Sequence, residues 1–562
     1  MRHTKIFILV AIVFSFTIIL GYYGDRIEVY LKGNQYLAFL VEDPSDSDDG
    51  EGRSSGVVSP IEPLYVTVTG SDPVFGYSFQ QMNRLPQEES LEKEPALPVA
   101  IQTNDRMHAG ESTVPALTGT IEQRGFSARR VNLKSYKIRL DDEQTIWGQE
   151  IINLNKHSLD FTKVRNKLSF DLFKQIPGIV SMDTHFVRLY VKDETAFPTT
   201  GQFADYGLYT HIEQPNGDFL RRNRLDPDGY LYKAVNFEFY RYPEKIRDRN
   251  DPRYNKNEFE TLLSIEGREY HEKLIKMLED INNDNNDFER VFSRHFNKDN
   301  FLTWMAVNLL MGNIDTTGNN YFLYSSRFSD TWYFLPWDFD KAWNFEWQYG
   351  FDGSAIHPAR EGLSLYWGWP LTRRFFQNPS NVEALNRKME EVADILSEQR
   401  IRSLLDEYYP VVQPLVFQST EPGLLPEDYK TIFDEEYYSL AKYPALKLQR
   451  YYENLEKPMP VFIGGPYAAG DKLTFNWGTS YDLQGDDIFY DFAVSDSPDF
   501  AEILHAETGL TKTEIVIDSL APGEYYWRVK IRDSQGREQV AFESYTDPEG
   551  NFFHGVKHFT IQ

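Results

Sequence analysis

The hydrophobic period of this chain changes twice, and that limits its architecture more than any single motif. From about residue 60, runs such as "LYVTVTG", "LPVAIQT", "LTGTIEQRGF" and "KSYKIRL" alternate apolar and polar residues between turn formers. That alternation marks half-buried strands. One amphipathic helix is expected among them, Ser158 to Ile176, from its Ser/Asp start, apolar spacings of three and four, and the Pro177-Gly178 stop. After about residue 257 the period turns helical in "NEFETLLSIEGREYHEKLIKMLEDI", "FERVFSRHF" and "NFLTWMAVNLLMGN", and again beyond the acid-bearing β segments. From Pro458 the short strand-like runs return, as in "KLTFNWGTS" and "IFYDFAVS". A strand-rich first half and a helix-rich second half imply a two-lobed α+β body over 60–456, followed by an all-β sandwich over 457–562. With no cysteine, the sandwich core is expected to rest on Trp477, Tyr526 and Trp527.

The first residues set the compartment. Ile6 to Gly24 are 19 uncharged residues, preceded by Arg2 and Lys5. A helix of that length crosses a bilayer core, and the positive flank leaves the rest of the chain outside. Residues 1–24 are therefore expected to form an N-terminal transmembrane helix, with a cleaved signal peptide as the alternative. Residues 25–59 read as an acidic linker, since "VEDPSDSDDGEGRSSG" lacks the ligand spacing of a calcium loop. The chain carries 58 basic and 85 acidic residues, and 58 − 85 = −27, so nucleic acid is not an expected partner. The absence of cysteine excludes disulfides, thiolate zinc sites and cysteine nucleophiles.

The chemistry concentrates in "GNIDTTGNNYFLY" and "WYFLPWDFDKAW". Asp315 and Asn320 are 320 − 315 = 5 apart, at the end of an apolar run, and Asp338 follows 338 − 315 = 23 residues after Asp315. Phosphoryl transfer by protein kinases uses an Asp to orient the attacking hydroxyl, an Asn five residues on to hold metal, and a later Asp for the other metal. Asp338 and Asp340 are expected to share a strand face, with Asp338 the stronger ligand. Each acid also has a plainer reading, as a turn former or a solvated charge. Asp338, between Trp337 and Phe339, resists that reading, because a charge among aromatics is costly unless paired or metal-bound. Lys134 and Lys137 lie on an expected strand, where one of them facing the cleft between lobes would offer a cation for nucleotide phosphates; a solvated basic strand face is the plainer reading. "QRGFSARR" offers Arg124 and Ser127, but it lacks a GxGxxG loop.

Taken in order, "RGFSARR…KSYKIRL", "RNKLSFDLF", "GLYTHIEQ…GYLYK", "NIDTTGNNYFLY" and "WYFLPWDFDKAW" resemble the spore-coat protein H (CotH) kinase family, over about residues 95–450. The resemblance implies an atypical protein-kinase-like fold, with ATP and Mg²⁺ or Mn²⁺. It also implies transfer of phosphate to Ser/Thr hydroxyls of surface or secreted proteins, or of the chain itself. Asp315 would be the catalytic Asp, Asn320 and Asp338 metal ligands with Asp340 as a further candidate, a Lys of "KSYK" the phosphate partner, and Glu213 a neighbour of the adenine. No Glu partner for that Lys is evident; Asp171 is the nearest candidate. "LAPGEYYWRVKIRDSQG" resembles the late strands of fibronectin type III-like modules, which implies a module that binds protein or glycan. A catalytically weak pseudokinase scaffold, a metal-dependent hydrolase and a pure adhesin remain as alternatives; no HExxH, Walker loop or GxSxG motif supports the hydrolase.

Overall fold

The computed structural model describes residues 61–103, 116–160, 162–196, 201–343, 357–418 and 429–561. The N-terminal apolar segment and the acidic linker lie outside the described residues. No helix among the described residues is long and apolar enough to cross a membrane.

The first half closes into a barrel. Its strands are β1 (Glu62–Val68), β2 (Ala96–Thr103), β3 (Leu117–Arg124), β4 (Ser135–Leu140), β5 (Ile151–Asn155), β6 (Thr184–Asp193) and β7 (Ala204–Glu213). They pair in the order β1-β2-β3-β4-β5-β7-β6, and a parallel β6–β1 ladder completes the ring. Closure leaves no unpaired strand edge. The alternation seen in the sequence fills the interior: Leu64, Val66, Leu97, Val99, Ile121, Ile138, Ile152 and Leu189 are all buried in one core. Two short helices, α1 (Phe79–Arg84) and α2 (Gln87–Lys93), lie between β1 and β2. α1 begins with a capping box at Ser78, and its Phe79 and Met82 join the barrel core.

The helix expected from Ser158 to Ile176 is shorter, α3 (Arg165–Phe173), and eight of its nine residues are buried. It starts late because Asp160 organises a turn before it, accepting from the Thr162 N–H at 3.0 Å and the Arg165 N–H at 3.3 Å. It is buried on nearly all sides because it passes between the barrel and the helical body rather than over a surface. The body continues through α4 (Gly217–Arg222), β8 (Tyr230–Ala234), α5 (Lys256–Glu260), β9 (Leu263–Ile265), α6 (Glu272–Ile281), α7 (Phe288–His295), α8 (Lys298–Leu310), β10 (Tyr321–Ser325) and β11 (Tyr333–Pro336). The single helical run expected after residue 257 is thus interrupted by β9, which completes a sheet ordered β11-β10-β8-β9. α9 (Pro370–Phe376), α10 (Pro379–Ile395), α11 (Glu398–Phe417), α12 (Tyr429–Ser439) and α13 (Tyr443–Leu455) close it. One large core joins α3, the sheet and these helices, with Trp304, Trp332, Trp343 and Trp369 among its fully buried side chains.

The tail is all β: β12 (Tyr467–Ala469), β13 (Lys472–Asn476), β14 (Ile488–Ser495), β15 (Ile503–Leu510), β16 (Glu514–Asp518), β17 (Gly523–Asp533), β18 (Glu538–Val540), β19 (Ser544–Thr546), β20 (Phe552–His554) and β21 (Val556–Ile561). The sheet β12-β13-β16 shares a core with the sheet built on β15-β14-β17-β18, through Phe475, Phe492, Val529 and Ile531. Trp477 and Trp527 lie in that core as expected. Tyr526 does not: adjacent strand residues point to opposite faces, and it packs with Phe500 and Val556 on the other side. The tail docks on the body. Tyr481 stacks on Trp367 with centroids 5.7 Å apart, and Met459 joins the body's core.

Gly312 marks the exit of α8. It has φ +60°, and a Cβ there would lie 2.5 Å from the Tyr443 hydroxyl oxygen and 2.9 Å from Cε of Lys447. Gly312→Ala is expected to destabilise the fold by about 1–3 kcal/mol, measured as a lower denaturant midpoint with an unchanged slope.

Candidate active site

The site begins where α8 stops. Every side chain of α8 from Asn300 to Leu310 is buried, so the helix is a rigid platform for the loop that leaves it. Beyond Gly312, the Asn313 N–H donates to the Asn308 carbonyl at 2.9 Å. The Thr316 hydroxyl donates to the Asn313 carbonyl at 2.8 Å and meets the Tyr366 hydroxyl at 2.5 Å. These contacts fix a single 3-10 turn, Ile314–Thr316, that carries Asp315. Asn320 takes a left-handed conformation, φ 57°, which Asn tolerates better than most residues. Its Nδ2 then donates to Asp315 Oδ2 at 3.0 Å. The pair singled out by spacing is therefore in direct contact.

Asp338 and Asp340 do not share a strand face. β11 ends at Pro336, and Asp338 turns the chain with φ 56°. The two acids sit on a turn that is tethered from both sides. From α3, Asn166 donates through Nδ2 to Asp338 Oδ1 at 3.2 Å, and its Oδ1 accepts the Phe339 N–H at 2.6 Å. From the Asp315 loop, Asn313 Nδ2 donates to the Asp338 carbonyl at 3.3 Å. Phe339 is buried against Phe173, with centroids 4.9 Å apart. Trp343 closes the turn: its N–H donates to the Met311 carbonyl at 2.8 Å and its indole N–H to Ser169 Oγ at 2.7 Å. The turn also brings Lys341 Nζ to 3.5 Å from Asp315 Oδ2.

The electrostatics divide into an acidic and a basic side. Burial, then the neighbouring Asp338 charge, pushes the Asp340 carboxyl well above the usual carboxylate range. Asp315 raises the Lys341 ammonium, which keeps it charged. His157, with Nδ1 4.0 Å from Asp340 Oδ2, is pushed down to about 4 by burial and stands neutral at pH 7. Opposite, burial lowers Arg124 to about 10 while Asp338 and Asp340 pull it back up. Lys233 on β8 is lowered by burial, against the pull of Asp338, and lies 5.7 Å from the Trp337 ring centroid.

The other expected nucleotide contacts divide. Lys137 forms an ion pair with Glu122 at 2.6 Å, directly across the β3–β4 ladder. The expected alternative partner, Asp171, is engaged elsewhere, by Lys167 at 2.7 Å and the Tyr408 hydroxyl at 2.6 Å. Lys134 turns inward: it is buried, donates to the Arg129 carbonyl at 2.6 Å, and is lowered to about 8 by burial. Arg124 donates to Asn155 Oδ1, and Ser127 opens a 3-10 turn beside it. Glu213 is buried, paired with Arg222, and accepts the Asp183 N–H at 3.0 Å. It sits opposite Ile152, three residues along β5 from Asn155. Sequence reasoning did not assign roles to Asn166, Lys233 or Lys341, although all three stand in the stretches it quoted. Nothing in a one-dimensional pattern says that an Asn on a helix will clamp a turn more than 170 residues away.

The donors suit a hard divalent cation shared with phosphates. Among the described residues, hydrogen bonds engage Asp315 through Oδ2 and the Asp338 side chain through Oδ1, so each keeps a second oxygen for a ligand. Carboxylate and carboxamide oxygens, completed by substrate oxygens, are the donor types that magnesium takes in phosphoryl-transfer sites.

A curated protein, Inner spore coat protein H of Bacillus subtilis (strain 168), is 28% identical over 234 residues, covering 40% of this chain. The chain spans 58% of the length of that relative. Residues 121–443, more than half of the chain and including Asp315, Asn320 and Asp338, match the family model described as CotH kinase protein. The chain belongs to the CotH kinase protein family.

Proposed function

We propose that this chain is an extracytoplasmic, ATP-dependent protein kinase. It would transfer the γ-phosphoryl group to Ser or Thr hydroxyls of a surface or secreted protein, or of itself. The observation that carries the reading is the Asp315–Asn320 hydrogen bond at the end of α8, linked through Asn313 to the Asp338 turn, in a chain of this family. The barrel and the helical body correspond in this reading to the two kinase lobes. Asp315 orients the acceptor hydroxyl and takes its proton as the new O–P bond forms and the bond to the β-phosphate oxygen breaks. Mg²⁺ or Mn²⁺, held by Asn320 and Asp338 with Asp340 beside them, would neutralise phosphate charge. Lys341, fixed next to Asp315, stabilises the equatorial oxygens of the transferring group. Lys137 with Glu122, Arg124 and Lys233 form the cationic side toward the remaining phosphates. Glu213 and Ser127 border the nucleotide more distantly, and Lys134 supports the barrel wall.

The name of the coat-protein relative supports a surface location, and in this reading the apolar segment Ile6–Gly24 would supply an anchor. The C-terminal sheets, read as a fibronectin type III-like module, would bind the protein or glycan that presents the substrate. One observation favours a scaffold that turns over slowly: the "QRGFSARR" segment closes on itself, with Arg129 donating to the Gly125 and Gln123 carbonyls at 3.0 and 2.8 Å.

Phosphate transfer from labelled ATP with Mg²⁺ or Mn²⁺, using residues 57–562, tests the reading. Asp315→Ala and Asp338→Ala are each expected to cut the rate by about 10²–10⁴. ATP binding without transfer to any acceptor would favour the scaffold. Absence of nucleotide binding would return the hydrolase and adhesin readings. In steady-state kinetics, Lys341→Met is expected to lower kcat by about 10²–10³ with little change in KM for ATP, because its contact strengthens as charge develops.

A further inference from the structure

A second acidic cluster, made of none of these residues, lies in two loops of the C-terminal sheets. Asp482–Asp486 precedes β14, and Asp533–Arg537 joins β17 to β18. Both loops read Asp-x-Gln-Gly. In the first, Asp482 Oδ1 accepts the Gln484 and Asp486 N–H groups at 2.9 and 3.0 Å. In the second, Asp533 Oδ1 accepts the Gln535 and Arg537 N–H groups at 2.9 and 2.8 Å. Each loop thus holds one carboxylate oxygen and leaves Oδ2 facing away from its own backbone. Asp482 is 5% exposed and Asp533 is 0% exposed, and neither Oδ2 accepts a hydrogen bond among the described residues. Asp486 is steadied by Ser534 Oγ at 2.9 Å and Gln535 Nε2 at 3.1 Å, both on its Oδ1. One carboxylate oxygen from each of the three acids lies within 4.8 Å of the others.

Buried carboxylate oxygens this close together need positive charge. The cation nearby is Arg537, whose Nη1 is 3.7 Å from Asp533 Oδ2 and 3.8 Å from Asp486 Oδ2. Both separations exceed hydrogen-bond length. Arg537 is also committed to Glu456, at 2.6 Å through Nη2. One guanidinium is therefore shared among three carboxylates, and among the described residues no ion pair reaches Asp482. A buried set of oxygen ligands supplied by two loops suits calcium, which takes flexible protein oxygen cages, better than magnesium, which keeps several waters. The three ligands are all carboxylates, which disfavours zinc and softer metals. Both loops touch the end of α13: Gln484 Nε2 donates to the Leu455 carbonyl at 3.1 Å, and Arg537 holds Glu456. We infer that Asp482, Asp486 and Asp533 form a calcium site that fastens the C-terminal sheets to the end of α13. The site stands independently of the phosphoryl-transfer reading.

Calcium titration of the chelator-treated protein, followed by calorimetry and thermal unfolding, tests this. Asp338→Asn serves as the background, so that the candidate active site does not contribute. Calcium is expected to bind at one site and raise Tm, magnesium at equal concentration is not, and Asp482→Asn and Asp533→Asn each abolish the response. Arg537→Gln retains all three acids and decides the matter even where those variants fail to fold. Tighter calcium binding by Arg537→Gln supports the site. Its destabilisation to the same extent with and without calcium makes the arginine the sole counter-charge and overturns the proposal, as do absence of calcium binding to the background protein and binding that survives both Asn substitutions.

Discussion

The carboxamide of Asn166 is the contact on which the arrangement of the acids depends. It is 1% exposed, and it spends both ends on one turn: Nδ2 on Asp338 and Oδ1 on the N–H of Phe339. A hydrogen bond contributes about 1 kcal/mol net, but a buried partner left unpaired costs about 1–3 kcal/mol. The geometry is therefore enforced more by the penalty of breaking it than by the gain of making it. The same helix supplies Ser169 to Trp343, and Arg165 donates to the Trp343 carbonyl at 3.3 Å. α3 thus holds the acidic turn at its start and at its end, while α8 holds the Asp315 loop. Asn313 joins the two.

That scaffold explains how an acidic chain can hold Asp315, Asp338 and Asp340 within reach of one another's charge. With a net charge of −27, the protein as a whole does not attract ATP. Under the kinase reading attraction is local: Arg124, Lys137, Lys233 and Lys341 would supply it, and desolvation would strengthen each interaction they make. The desolvation that lowers Arg124 and Lys233 also raises Asp340; the Asp338 charge pulls both cations back up, while as a like charge it raises Asp340 further. A metal ion and a polyphosphate would complete the charge balance between the two sides.

Much of this was legible in the sequence, for reasons that differ by element. The barrel strands could be read because half-buried strands alternate and their interior is apolar. The Asp315–Asn320 pair could be read because its spacing carries a chemical requirement. α3 is harder to read because its polar residues, Arg165, Asn166 and Lys167, look like a solvated face yet are buried, against Asp160, the Asp338 turn and Asp171 respectively. Asp338 and Asp340 were placed on a strand because periodicity does not register that Pro336 ends β11 and that Asp338 adopts a left-handed turn. Lys134 and Lys137 lie three residues apart in sequence, yet one is buried under the barrel wall and the other is paired across it. Register decides between them, and register is a tertiary property.

The Lys137–Glu122 pair also bears on control. In most protein kinases the acidic partner of the strand lysine rides on a helix whose movement makes or breaks the pair. Here both residues occupy facing positions of adjacent antiparallel strands, β3 and β4, within a closed ring. Breaking the pair by a rigid-body shift would require opening the barrel, at the cost of its ladder hydrogen bonds and its single apolar core. Under the kinase reading, the lysine is therefore set permanently by the fold. Among the described residues, a swinging helix would have no part in making or breaking this pair. Any gating has to act on the turn that carries Asp338, because that turn is held by a few side-chain contacts rather than by a sheet.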